Sequence, residues 1–151
     1  MRLAEKVAIV TGAGGAGIGH AIARRFGQEG CAVVVSDVNE AGAAAVAAEI
    51  TAAGGRAVSL RVDASNGDDV RALVDLAISS YGRLTTVVNC AAMATVKYLH
   101  EIDEAEWRRT IDGCLTSVYL TAHHALPHLM AVGRAAGPSI TSISSANGVV
   151  T

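Results

Sequence analysis

Five glycines fall within nine residues in Thr11-Gly12-Ala13-Gly14-Gly15-Ala16-Gly17-Ile18-Gly19. The apolar run Val7-Ala8-Ile9-Val10 precedes them, and the helical pattern Ala21-Ile22-Ala23 to Phe26 follows. Glycines let a backbone turn tightly and bring bare N–H groups close to a ligand. The start of a helix adds unpaired donors and a partial positive charge. Strand, glycine turn and helix in that order suit the pyrophosphate of a dinucleotide. Gly12 then permits the turn, and the amides of Ile18 and Gly19 approach phosphate.

Four further places carry polar groups that fit such a ligand. Asp37 closes the second apolar run, at the distance past the turn that a ribose-binding carboxylate needs. A carboxylate there accepts from both ribose hydroxyls and repels a 2′-phosphate. No lysine or arginine lies in the turn or just after Asp37, which favours NAD over NADP. The plainer alternative is a turn aspartate that caps the next helix. Asp63, in Val62-Asp63-Ala64-Ser65, either accepts from an adenine amino group or starts a turn, with Ser65 or Asn66 as a helix cap. Asn89-Cys90-Ala91-Ala92 offers small residues over which a cofactor can lie, or simply a tight loop with a satisfied asparagine. Ser144 and Ser145 end the last apolar run; a hydroxyl there faces a crevice at the strand ends, or merely satisfies a turn.

His123, His124 and His128 fall on one helical stretch. His124 and His128 have the spacing to share a face, but Pro127 disturbs that register and no acidic partner is near. No metal site is expected. Trp107 reads as a core or hinge residue.

The elements that must position these groups alternate. Strands are predicted over residues 6–11, 32–36, 57–62, 84–88 and 139–144. Helices are predicted over 18–29, 40–53 (ending at Gly54-Gly55) and 68–81 (ending at Gly82). A long helix over 103–132 has Asp103 as cap, Glu106 three residues on, and a bend or break at Pro127. Such alternation implies right-handed parallel βαβ units. The expected fold is one α/β domain over residues 1–151, a doubly wound parallel sheet in the order 3-2-1-4-5 between two helical layers, with the crevice between strands 1 and 4.

Composition limits the partners. The chain is 51% hydrophobic and 17% charged, enough to bury a core, with a net charge of −2. Its two lysines and ten arginines form no basic block, so nucleic acid is not a natural partner. Apolar runs are too short to span a membrane, and the N-terminus leads straight into the first strand without a leader pattern. Cys31, Cys90 and Cys114 are odd in number and widely spaced, as in a reduced, cytoplasmic protein.

Together these residues resemble the short-chain dehydrogenase/reductase family. The resemblance rests on Thr11-Gly12 to Gly17-Ile18-Gly19, Asp63, Asn89-Cys90-Ala91-Ala92, Trp107 with Leu115 to Leu120 and Leu126-Pro127-His128, and Ile143-Ser144-Ser145-Ala146-Asn147-Gly148. It implies a Rossmann sheet and hydride transfer between NAD and a small alcohol or carbonyl. The cofactor set it implies is Gly12, Gly17, Ile18, Gly19, Asp37, Asp63, Ala64 and Asn89. Ser145 would hydrogen-bond the substrate oxygen, and pairing of copies would run through the long helix.

The chain departs from the family pattern in four ways. The turn has one residue more than usual between Gly12 and Gly17 and must bulge. Cys90 and Ala92 replace an asparagine and a glycine. Cys114 stands where the family places a catalytic asparagine, and a thiol cannot reproduce an amide's donor and acceptor pair. The family's Tyr-x-x-x-Lys segment does not occur in these residues: Tyr81, Tyr98 and Tyr119 have no lysine four places on. The domain is therefore expected to be incomplete at its C-terminus. A non-catalytic nucleotide-binding or interaction protein, or an inactive fragment, stays open as an alternative.

Overall fold

The computed structural model describes residues 1–145. Five strands form one parallel sheet in the order β3-β2-β1-β4-β5, the order expected from the alternation of elements. The strands are β1 (Val7–Thr11), β2 (Ala32–Asp37), β3 (Arg56–Arg61), β4 (Thr86–Asn89) and β5 (Ser139–Ser142). The crossover helices are α1 (Ile18–Gln28), α2 (Glu40–Ala52) and α3 (Gly67–Tyr81). Between β4 and β5 run α4 (Glu104–Ile111) and α5 (Ser117–Ala131).

Alternation of side chains along the central strands builds two cores. Ala8 and Val10 of β1, with Val33 and Val35 of β2, face α1 and α2 through Ala23, Ala43, Val46, Ala47 and Ile50. Ile9 and Val34 point the other way, against Val70, Leu73, Val74 and Ala77 of α3 and Ala125 and Leu129 of α5. A strand covered on both faces reads as a continuous apolar run, which is why Val7-Ala8-Ile9-Val10 carries no polar alternation. Small residues let α1 and α2 approach closely: a Cβ on Gly27 would stand 2.6 Å from Cγ2 of Ile50.

Local chemistry sets the helix ends. Asn39 accepts from the Gly42 amide at the start of α2, and Asn66 accepts from Asp68 and Asp69 at the start of α3. Gly82 ends α3 in the left-handed conformation, at φ 76°. Asp103 and Glu106 form a reciprocal capping box at α4.

The long helix differs from expectation. It is interrupted at Asp112–Thr116 by a π turn, while α5 runs through Pro127. Pro127 lies on the exposed side of α5, where water can serve the carbonyl that its missing N–H leaves. The π turn is supported by hydroxyls: Ser117 donates to the Gly113 carbonyl at 2.8 Å and Thr116 to Asp112 at 3.0 Å. Trp107 is 53% exposed, so it is not a core residue; the face of α4 that carries it meets solvent.

Leu73 is fully buried between α3 and the sheet. Leu73→Ala is expected to destabilise the chain by about 2–5 kcal/mol, read from urea unfolding. A loss under about 1 kcal/mol contradicts that packing.

Candidate functional site

Parallel register lines up the carboxyl ends of the strands. Thr11 stands beside Ser36, Asp37 beside Arg61, and Asn89 beside Ser142. The order of strand addition reverses at β1, since β2 and β3 lie on one side and β4 and β5 on the other. The crevice such a switch point creates holds a cavity of about 230 Å3. Gly12, Asp37, Asp63 and Ala64 line it, with Cys90 to Met93 from the loop after β4 and Gly113 from the π turn.

The glycine turn forms one lip. Gly12 has φ 64°, and a Cβ there would stand 2.7 Å from the Ala91 backbone. Gly19 is buried, and any Cβ on it would overlap the Gly12 carbonyl oxygen. Gly17 precedes α1 with open space around its Cα and offers no capping side chain. Ile18 and Gly19 begin α1, so their N–H groups have no acceptor within the helix. Gly17, Ile18 and Gly19 are not in the cavity wall.

Both carboxylates predicted from sequence reach the cavity wall. Asp37 accepts from the Gly14 amide at 2.8 Å through Oδ2 and from the Asn39 amide at 2.9 Å through Oδ1. Each carboxylate oxygen keeps a second lone pair for a ligand. Asp63 accepts from the Ser65 hydroxyl at 2.6 Å and the Ser65 amide at 2.9 Å. The Ser65 hydroxyl, then its amide, hold the Asp63 carboxyl below the usual carboxylate range, against a smaller upward push from burial. Asp63 thus faces the cavity and also starts the turn that leads to the Asn66 cap.

Asn89 lies elsewhere. Its amide donates to Ser142 at 3.2 Å and accepts from the buried Thr121 hydroxyl at 2.8 Å. Its side chain ties β4 to β5 and α5, and it is not in the cavity wall. Ser144 and Ser145 follow β5 and are exposed. Ala146, Asn147 and Gly148 lie outside the described residues. The Cys114 thiol donates to the Met93 carbonyl at 3.2 Å. Among the described residues no group of three or more His, Cys, Asp or Glu gathers as a metal site would require.

Sequence patterns gave Thr11 no role beyond opening the glycine motif, and did not mark Met93 or Gly113. Thr11 is buried at the end of β1, and its hydroxyl accepts from the amides of Cys90 and Ala91, both at 3.1 Å. It fixes the loop that faces the turn. Met93 and Gly113 meet only because the π turn brings them together: a Cβ on Gly113 would stand 2.9 Å from that of Met93. The glycine inside a helical pattern was the one available signal.

Two measurements check this geometry. Because its folded-state pKa is depressed, Asp63 contributes stability that is present above the unfolded carboxylate pKa and lost as pH falls through the folded value. Ser65→Ala is expected to raise the Asp63 pKa in a carbon-13 NMR titration, and the stability gap from wild type should close at acid pH. Cys31 is buried and its thiol is pushed up to about 12, chiefly by desolvation, whereas Cys114 is exposed. Iodoacetamide followed by mass spectrometry should label Cys114 well before Cys31.

Comparison with known proteins agrees with this architecture. The sequence pattern described as short chain dehydrogenase matches residues 6–151. The chain is 46% identical, over 96% of its length, to a cis-4-hydroxycyclohexanecarboxylate dehydrogenase of Sinomonas cyclohexanicum. It is 37% identical, over 96%, to a cyclohexanol dehydrogenase of Acinetobacter sp. (strain SE19). It is 43% identical, over 99%, to a 4-formylbenzenesulfonate dehydrogenase of Comamonas testosteroni. In each case it spans 58% of the relative's own length. On the matching pattern and these relatives together, the chain belongs to the short-chain dehydrogenase/reductase family.

Proposed function

We propose that this chain forms the cofactor-binding part of an NAD-dependent oxidoreductase that moves hydride between nicotinamide and a small alcohol or carbonyl. The observation that carries this is Asp37. Its carboxylate stands in the wall of the crevice, held by two backbone amides. Among the described residues no lysine or arginine lines that cavity, so none of them there attracts a 2′-phosphate, and the carboxylate acceptor fits an unmodified ribose. In this reading Asp37 accepts from the ribose hydroxyls, Asp63 and Ala64 meet the adenine, and Gly12, Gly17, Ile18 and Gly19 surround the pyrophosphate. Asn89 acts from behind, as the strut that sets the end of β4.

The substrate side rests on relatives. Two are named for six-membered-ring alcohols, so cyclic secondary alcohols and their ketones are the class to test first. Ser145 would position the substrate oxygen. Pairing of copies through the helical layer is part of the same proposal: Leu115, Tyr119, Leu126 and Met130 are exposed at spacings that share one helical face. The free thiols fit a cytoplasmic setting. Among the described residues no helix is long and apolar enough to cross a membrane.

One observation favours a second reading. Cys114 holds the asparagine's place with a thiol bonded to Met93, which suits nucleotide binding without turnover. Cyclohexanol oxidation followed by NADH absorbance separates the two.

Calorimetric titration tests the cofactor. Asp37→Ala is expected to weaken NAD+ binding about 10–100-fold, the worth of charge-assisted hydrogen bonds, and to narrow the preference over NADP+. Equal affinity for both cofactors in the wild type would remove the basis for NAD.

A further inference from the structure

The glycine turn, Asp37 and the start of α2 form a closed ring of contacts. The Gly14 amide donates to Oδ2 of Asp37. The Asn39 amide donates to Oδ1 of the same carboxylate at 2.9 Å, and the Asn39 side chain accepts from the Gly42 amide at 3.1 Å. Gly42 then returns to the turn: any Cβ on it would overlap the Gly14 carbonyl oxygen. Gly14 is confined as well, since a Cβ on it would stand 2.7 Å from that of Asp37 and 2.8 Å from the Ala43 amide nitrogen. Gly15 and Gly17 have open space instead. The bulge of the long turn is therefore lodged at Gly14, in the room that Gly42 leaves by having no side chain.

We infer that Gly42, outside the cavity wall, is a specificity-determining positioning residue: it seats the long turn so that the Gly14 amide aims the Asp37 carboxylate at an unmodified adenosine ribose. The inference rests on the cofactor reading above. Its physical content is simple. A carboxylate held at both oxygens by backbone groups cannot swing away from an incoming 2′-phosphate. Its repulsion is then spent in full on NADP+. If the turn is displaced, Oδ2 loses its donor and the carboxylate gains freedom to rotate, so recognition of the ribose weakens and rejection of the phosphate relaxes.

The test uses the full chain with four sequences: wild type, Gly42→Ala, Gly42→Ala with Gly15 removed, and Ala44→Ser on the exposed side of α2 as a control. NAD+ and NADP+ are titrated by calorimetry, and exchange of the Gly14 amide is followed by NMR without ligand. Gly42→Ala should weaken NAD+ binding about tenfold, the loss of one hydrogen bond to a charged group, and lower the NAD+/NADP+ affinity ratio. It should also speed exchange of the Gly14 amide. Removing Gly15 shortens the bulge and should restore both readouts; Ala44→Ser should change neither. A general loss of packing would weaken both cofactors alike and would not be repaired by a shorter turn. A Gly42→Ala chain that folds only when Gly15 is also removed supports the contact, and one that stays unfolded after the removal overturns it. Unchanged affinity ratio and unchanged amide exchange in folded Gly42→Ala overturn it as well. Absence of NAD+ binding in the wild type refutes the cofactor reading instead, and the amide exchange still decides whether Gly42 seats the turn.

Discussion

Everything around the crevice depends on the meeting of Gly12 with Ala91. Gly12, just past β1, turns at φ 64°, and its Cα lies so close to the backbone after β4 that no side chain fits between them. Thr11 completes the junction by accepting from the amides of Cys90 and Ala91. Two segments that are almost eighty residues apart in the chain are thereby fixed side by side. A larger residue at position 12 would meet both a strained backbone and a steric wall. The position of every other group in the cavity is measured from this point.

Sheet register extends that precision outward. Parallel pairing allows no local adjustment once one face is buried, because a slip of one residue turns every side chain to the other face. The two apolar cores on opposite faces hold β1 and β2 in place. Asp37 thus stands at the strand ends with the same certainty as Val35 stands in the core. The loops beyond the strands line the cavity, and Asp37, Asp63 and Thr11 shape them by accepting hydrogen bonds from loop amides. Polar groups at this rim organise one another before any ligand is present, which lowers the cost of ordering them on binding.

The helical layer between β4 and β5 follows a different logic. The π turn at Asp112–Thr116 carries Gly113 inward to the cavity wall, where it meets Met93. Cys114 adds a hydrogen bond to the same loop. Behind them, Asn89 joins β4, β5 and α5 through one buried amide. A buried amide with satisfied donor and acceptor is a specific joint, since losing either partner leaves an uncompensated polar group. The far wall of the crevice is therefore tied to the strand that leads to Ser145.

Periodicity and end signals were strong along this chain, so the strand order, the cap at Asp103 and the stops at Gly54 and Gly82 could be read directly, while the choice between Ser65 and Asn66 as cap fell to Asn66 in the structure. Asp37 and Asp63 were legible because both follow apolar runs that end at one edge of a parallel sheet. Thr11, Met93 and Gly113 were not, since each acts through a neighbour distant in sequence, and no local pattern records such a partner. Trp107 misled because a large apolar side chain on an amphipathic pattern usually points inward, and here its face of α4 meets solvent. Pro127 stays within α5 without ending it, on the exposed side where water can serve the carbonyl left without its N–H partner. The residues alone determined which segments turn, pair and cap, for those are short-range properties of the backbone. Only tertiary packing decided that the long turn lodges against Gly42, that Asn89 serves as a strut and that the helix opens at Gly113, because each depends on which atoms arrive at the same place.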